Sequence, residues 1–175
     1  MIQLHDKHFV PFISAKEIAF AIENMAKKMD DDFFDEVPVF IGVLNGSFMV
    51  LSDLMKQYRG MCEVSFVKMA SYEGTESTNT VKQLIGINQN LEGRTVVIVE
   101  DIVDTGNTIE ELKSIFKSLK VKHLKIATLF LKPDVYKKDI KLDYVGIRIP
   151  NKFIVGYGLD YDGLGRNLRD IYELK

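Results

Sequence analysis

The sequence predicts an α/β fold, a mostly parallel central sheet flanked by helices. Two observations point there. Short, continuous apolar runs alternate along the chain with stretches whose apolar residues recur at helical spacing. Strand–helix–strand alternation marks a parallel sheet covered on both faces, and strands buried on both faces read as unbroken apolar runs. Polar clusters with chemical character also follow the strands, and ligands of such sheets sit at the carboxyl ends of strands.

The elements follow in order. Ser14-Ala15-Lys16-Glu17 is a capping box. Ile18, Ala21, Ile22 and Met25 then recur at helical spacing, predicting a helix to about Lys28. Asp30-Asp31-Asp32 reads as the solvated loop that ends it. Pro38 to Leu44 is a buried strand, Asn45-Gly46-Ser47 a turn, and the stretch to about Tyr58 a helix. Cys62 to Ala70 is a second strand. Tyr72 to Thr80 is small, polar and aperiodic, hence a mobile loop, and Val81 to Ile87 is a strand or hairpin arm. Thr95 to Val99 is the clearest buried strand, and Asp101 to Gly106 a loop. Asn107 to Leu119 is a helix with Ile109, Leu112, Ile115, Phe116 and Leu119 on its apolar face. His123 to Leu131, 143–149 and 153–157 complete the β segments.

Length and composition describe a single domain spanning 1–175. The chain is 46% hydrophobic and 27% charged, and can bury a core without covalent staples. A net charge of -2 offers no basic field to nucleic acid. The single cysteine, Cys62, can form no internal disulfide and lies in a strand pattern. It reads as a core thiol in a reducing, cytoplasmic setting. No apolar run approaches the ~20 residues of a membrane span. Residues 1–13 carry His, Asp, Lys and Pro, and so lack a signal peptide's apolar core.

The most informative segment follows Val96-Val97-Ile98-Val99. Glu100 and Asp101 come first, then two apolar residues, then Asp104-Thr105-Gly106-Asn107-Thr108 and a helix. Gly106 permits a tight backbone path, and Asn107 or a neighbour is a candidate N-cap. The first amides of a helix are free, and its dipole favours an anion there. With the hydroxyls of Thr105 and Thr108 this makes a cradle for a phosphate. Carboxylates would repel that phosphate, but the vicinal hydroxyls of a ribose suit the Glu100/Asp101 pair, and Mg²⁺ can bridge acids and diphosphate. A merely capped helix leaves the acid pair unexplained. An aspartic protease also uses Asp-Thr-Gly, but it needs two copies in a β-rich setting. No Walker A sequence, dinucleotide-binding glycine fingerprint or zinc-spaced His/Cys cluster is present.

A second cluster lies downstream: Lys132-Pro133, then Ile149-Pro150-Asn151-Lys152-Phe153-Ile154-Val155-Gly156-Tyr157-Gly158-Leu159-Asp160-Tyr161, then Arg166. Taken alone, Phe153 reads as core and Lys132 as a solvated strand end. Together the segments change that reading. The 97–108 segment resembles the phosphoribosyl-diphosphate signature of type I phosphoribosyltransferases. The 149–161 segment resembles the purine-binding signature of their hypoxanthine–guanine branch, with Ile154 for the usual Val. Ser71-Tyr72 and Gly42-Val43-Leu44-Asn45-Gly46-Ser47 also match in position, and the resemblance spans roughly residues 10–175.

The resemblance implies a core of about 14–131 and a small hood subdomain from the chain ends, about 1–13 and 132–175. It implies transfer of 5-phosphoribosyl from phosphoribosyl diphosphate to N9 of hypoxanthine, and of guanine, giving IMP or GMP and diphosphate. Asp104 would be the acid/base near purine N7. Glu100 and Asp101 would hold the ribose hydroxyls. Thr105, Gly106, Asn107 and Thr108 would surround the 5′-phosphate. Lys132 would donate to O6, Phe153 would stack on the base, and the carbonyls of Ile154 and Asp160 would accept from guanine's 2-amino group. Leu44, Asn45, Gly46 and Arg166 would meet the diphosphate. Glu100, Asp101 and Asp160 would be the Mg²⁺ ligands, and Ser71 and Tyr72 would open a closing lid. The partners would be the two small substrates, with no nucleic acid and no membrane, in a homodimer or homotetramer. Asn45 and Asn107 stand where many relatives carry a cation, which implies weaker donor binding or heavier reliance on Mg²⁺. Three other readings compete: a sister specificity (xanthine, or hypoxanthine nearly alone), a regulatory module that senses the donor while binding nucleic acid, and a structural subunit.

Overall fold

The computed structural model describes residues 1–69, 83–85, 87 and 89–175. Ser71, Tyr72 and the rest of the expected lid lie outside the described residues. Ten strands and three helices are described: β1 (Ile2–Leu4), β2 (Lys7–Ile13), α1 (Ala15–Asp32), β3 (Val39–Leu44), α2 (Phe48–Gln57), β4 (Glu63–Met69), β5 (Gln83–Ile85), β6 (Thr95–Val103), α3 (Asn107–Ser118), β7 (His123–Leu131), β8 (Tyr144–Arg148), β9 (Ile154–Val155) and β10 (Ile171–Leu174).

Six strands form one sheet in the order β5-β4-β3-β6-β7-β8. The pairs from β4 to β8 are all parallel, and β5 is an antiparallel edge on β4. The expected α/β fold is therefore present. Alternation along each strand divides the core. Val39, Ile41, Val43, Val96 and Ile98 face α3 through Ile109, Leu112 and Phe116. Phe40, Val97 and Val99 face α1 and α2 through Ile22, Met25, Val50 and Leu54. Burial on both faces explains why these strands read as unbroken apolar runs. The chain leaves β3 to build β4 on one side, then returns to lay β6 on the other. That reversal between β3 and β6 is a topological switch point, where loops diverge and leave a crevice.

Several boundaries differ from the sequence expectation. β6 does not stop at Val99: Ile102 and Val103 pair with Phe130 and Leu131 of β7, so Glu100 and Asp101 lie inside a strand. α1 runs on through Asp30-Asp31-Asp32, because Met29 and the C-cap Phe33 continue its buried face. Those acids are also tied, Asp30 to the Arg59 amide and Asp32 to the Tyr144 hydroxyl. The Ser14/Glu17 capping box forms as expected. The two chain ends make a second, antiparallel sheet of order β1-β2-β10-β9. β8, within the stretch assigned to the hood, is instead the edge strand of the large sheet, because Ala127 to Leu131 offers it parallel partners. No described helix is long and apolar enough to cross a membrane.

Candidate active site

The loops after β3 and β6 flank the switch point. Gly106 is the N-cap of α3, at φ 85°, and among the described residues no side chain caps that helix end. Asn107 is thus the first helical residue, not the cap. The left-handed backbone needs glycine, and space demands it too: a Cβ there would lie 2.5 Å from the Tyr136 ring. The first-turn amides keep their donors for an anion, and Thr105, Asn107 and Thr108 are exposed around them.

The two-residue period of β6 sends Glu100 to the α3 side and Asp101 to the α2 side. Both line a cavity of about 330 Å³ with Val43, Leu44, Gly46 and Thr108. Asp101 lies against Gly46 so tightly that a Cβ on Gly46 would fall 1.5 Å from Asp101 Oδ2. Gly46→Ala is therefore expected to displace either the Asp101 carboxylate or the 44–46 loop. Activity should fall at least about 100-fold, the scale set by misplacing a reacting group by about 1 Å. Near-normal steady-state kinetics in that variant would show that neither group is needed where it stands. The Leu44–Asn45 peptide is cis, and Asn45 is exposed, between the cavity-lining Leu44 and Gly46.

Burial in this cavity, and then the charge of Asp101, push the Glu100 carboxyl well above its usual range. Burial likewise raises Asp101 from 3.8 to about 6. For Asp101 that rise amounts to about 3 kcal/mol against the charged form. The folded chain then holds protons that the unfolded chain has released. The pair costs nothing to folding below the unfolded carboxyl range, and it opposes folding increasingly as pH rises toward and past 6. Thermal melts without ligand should show Asp101→Asn gaining stability relative to wild type between pH 4 and 7. A difference in Tm that stays flat across this range would refute the assigned burial.

Asp104 sits where β6 gives way to α3, half exposed, and its Oδ2 takes Lys132 Nζ at 3.0 Å. Lys132 itself is 7% exposed and also reaches Asn151 Oδ1 at 3.4 Å. It is held at the end of β7 by its own amide, which donates to Val103 O. The "solvated strand end" of the sequence is thus a buried cation with an acid partner. Phe153 is 46% exposed. Its ring lies 6.2 Å from Phe9 and meets Tyr161 edge-on at 5.9 Å, leaving aromatic surface open. Ile154 is buried in β9. Arg166 pairs with Asp160 Oδ1 at 2.7 Å and donates to Gly158 O, while Asp160 Oδ2 accepts from the Gly163 amide. Both Asp160 oxygens are therefore engaged. The structure brings together the 44–46, 100–108 and 160–166 residues and, beside them, Asp104 with Lys132.

The sequence does not point to four neighbours. Asn151 touches Lys132 across 19 residues, which leaves no local signal. Tyr136 and Lys138 back Gly106. Glu111 lines the cavity with Thr108, and its i+3 spacing on α3 could have revealed it. A larger groove, about 660 Å³, lies between α1 and β8, and no described residue of the loops after β3 and β6 lines it.

Comparison with known proteins gives a consistent picture. Residues 13–162 match the family model described as the phosphoribosyl transferase domain. A hypoxanthine-guanine phosphoribosyltransferase of Streptococcus pyogenes is 42% identical over 163 residues, 93% of this chain and 91% of that protein. The enzyme of that name from Staphylococcus epidermidis is 42% identical over 159 residues, 88% of this chain and 89% of its own. Among solved structures, a hypoxanthine-guanine phosphoribosyltransferase of Bacillus anthracis superposes with a TM-score of 0.88 at 38% identity. The match covers 95% of this chain and 98% of that one. A hypoxanthine phosphoribosyltransferase of Staphylococcus aureus gives 0.88 at 37% identity, over 95% and 91%.

Proposed function

Because the chain belongs to the phosphoribosyl transferase domain family, we propose that it is a purine salvage enzyme that moves 5-phosphoribosyl from phosphoribosyl diphosphate to N9 of hypoxanthine and guanine. The C1′–O bond to diphosphate breaks, the N9–C1′ bond forms, and the purine loses a ring proton. One observation carries the reading: Asp104 and Lys132 stand 3.0 Å apart beside an uncapped helix N-terminus. A 6-oxopurine presents N7 and O6 side by side on one edge. An acceptor and a donor at that separation suit those two atoms. Adenine offers an amino donor in place of O6, which an ammonium cannot accept.

The chain's residues divide the work. The α3 amides with Thr105, Gly106, Asn107 and Thr108 hold the 5′-phosphate. Glu100 and Asp101 accept from the ribose hydroxyls. Asp104 takes the ring proton near N7, Lys132 draws on O6, and Phe153 carries the base. The backbone carbonyls of Ile154 and Asp160 accept from a 2-amino group, which disfavours xanthine. Leu44, Asn45, Gly46 and Arg166 face the diphosphate.

Mg²⁺ is the proposed cofactor. Among the described residues no three acids form a cage for a metal. Mg²⁺ seldom needs one, since it binds through one or two carboxylates plus substrate phosphates. The Glu100/Asp101 pair offers that oxygen set, and Asp160, whose oxygens already take Arg166 and the Gly163 amide, would have to share them with the ion. Bound there, Mg²⁺ would offset the charge of the leaving diphosphate. A core that includes β8, a hood built on the antiparallel sheet of the chain ends, a homodimer or homotetramer, and a cytoplasmic setting complete the proposal. The half-buried, unpaired Cys62 fits the last of these.

The test is nucleotide formation from phosphoribosyl diphosphate and Mg²⁺ with hypoxanthine, guanine, xanthine and adenine in parallel. Hypoxanthine and guanine should react well and adenine at background. Activity with adenine alone, or with none, would overturn the proposal.

A further inference from the structure

Asp53 and Tyr157 have no role in the site described above, yet they join its two halves. Tyr157 lies just after β9 and is 5% exposed. Its hydroxyl donates to Asp53 Oδ2 on α2, and Asp53 Oδ1 takes Lys56 Nζ at 2.8 Å. A buried phenol needs a polar partner, and Asp53 is the one this fold supplies. Burial, and then that carboxylate, push the phenol's pKa up, so the hydroxyl keeps the proton it donates.

Both partners are attached to the diphosphate region. α2 begins at Phe48, directly after the Leu44–Ser47 turn. Gly158, the residue after Tyr157, has φ 98° and abuts that same turn: a Cβ on it would lie 2.0 Å from Gly46 O. Gly158 is also bound to Arg166 twice, its amide donating to Arg166 O at 2.9 Å and its carbonyl accepting from the guanidinium at 2.7 Å. One phenol hydroxyl therefore ties the strap that carries Gly158 and Arg166 to the helix that follows the Asn45–Gly46 turn. Asp101 closes the other side of Gly46. The two side chains assigned to hypoxanthine itself, which has no 2-amino group, are held separately, Lys132 by Asp104 and Phe153 by Phe9 and Tyr161.

We infer that Asp53 and Tyr157 are positioning residues for the donor's diphosphate, acting through Gly46 and Arg166. The inference rests on the transferase reading above. Steady-state kinetics of Tyr157→Phe and Asp53→Ala test it, with each substrate varied at saturating concentrations of the other. Each variant should raise KM for phosphoribosyl diphosphate about tenfold, the scale of one lost hydrogen bond to a charged group, and move KM for hypoxanthine by less than about twofold. The double variant should be no worse than the worse single one, because both delete one interaction. Asp53→Asn, whose amide oxygen still accepts, should recover most of the loss. A donor KM unchanged in Tyr157→Phe would overturn the inference, whether or not the melting temperature falls. Equal shifts in both KM values would overturn it too. Wild-type turnover in the same assay separates the failures. No nucleotide from wild type sinks the transferase reading and this inference with it, whereas an active wild type with an indifferent Tyr157→Phe sinks only the positioning role.

Discussion

Asp104→Asn is expected to slow nucleotide formation by about 100- to 10,000-fold, the range a general acid/base commonly supplies. Asn keeps the shape and one oxygen of Asp104 but cannot take the purine proton. The choice of Asn follows from burial. Lys132 is 7% exposed and Asp104 is its acid partner. Asp104→Ala would strand a buried ammonium, at a cost of roughly 3–5 kcal/mol for a broken buried pair. Asn151 alone, at 3.4 Å, would offset little of it. In Asp104→Asn the amide oxygen still receives the ammonium, so the melt and IMP affinity should stay close to wild type while turnover collapses. Normal turnover would remove Asp104 from the chemistry.

Lys132→Ala should cut kcat/KM for hypoxanthine by about 100-fold or more, since a buried charged donor to O6 is lost. Adenine should gain relative to hypoxanthine, because the group that rejects its amino donor is gone. The fold should tolerate this change better than Asp104→Ala. The carboxylate left behind has a side chain 46% exposed, so water can solvate it. Kinetics with both bases, alongside melting curves of Lys132→Ala and Asp104→Ala, check the two halves of the argument. An unaltered preference for hypoxanthine over adenine would show that O6 is read elsewhere.

The central sheet and its helices were legible because burial on both faces writes itself into the sequence as unbroken apolar runs. The misread boundaries share one cause. Glu100 and Asp101 interrupt an apolar run, and local polarity argues for a loop, but ladder pairing with β7 carries the strand past them. Asp30 to Asp32 end an apolar face only if Phe33 is overlooked. The hood was harder to read. Its strands are two to seven residues long, and they pair across almost the whole chain, as Ile13 does with Ile171.

The candidate site divides the same way. The phosphate and ribose ends were readable because Glu100 to Thr108 is one continuous segment whose chemistry is local. Lys132 was not readable alone: its acid partner lies 28 residues away, and nothing near Lys132 in sequence announces it. The Tyr157–Asp53 contact spans 104 residues. Such contacts are products of the fold, and only the assembled switch point reveals them.

The most direct measurement is a crystal structure of the protein with IMP. The phosphate should sit on the amides of residues 105–108 and the ribose hydroxyls at Glu100 and Asp101. The base should lie on Phe153, with O6 about 3 Å from Lys132 Nζ and N7 turned toward Asp104. Nucleotide in the groove between α1 and β8, or a base turned so that O6 faces away from Lys132, would contradict the assignment.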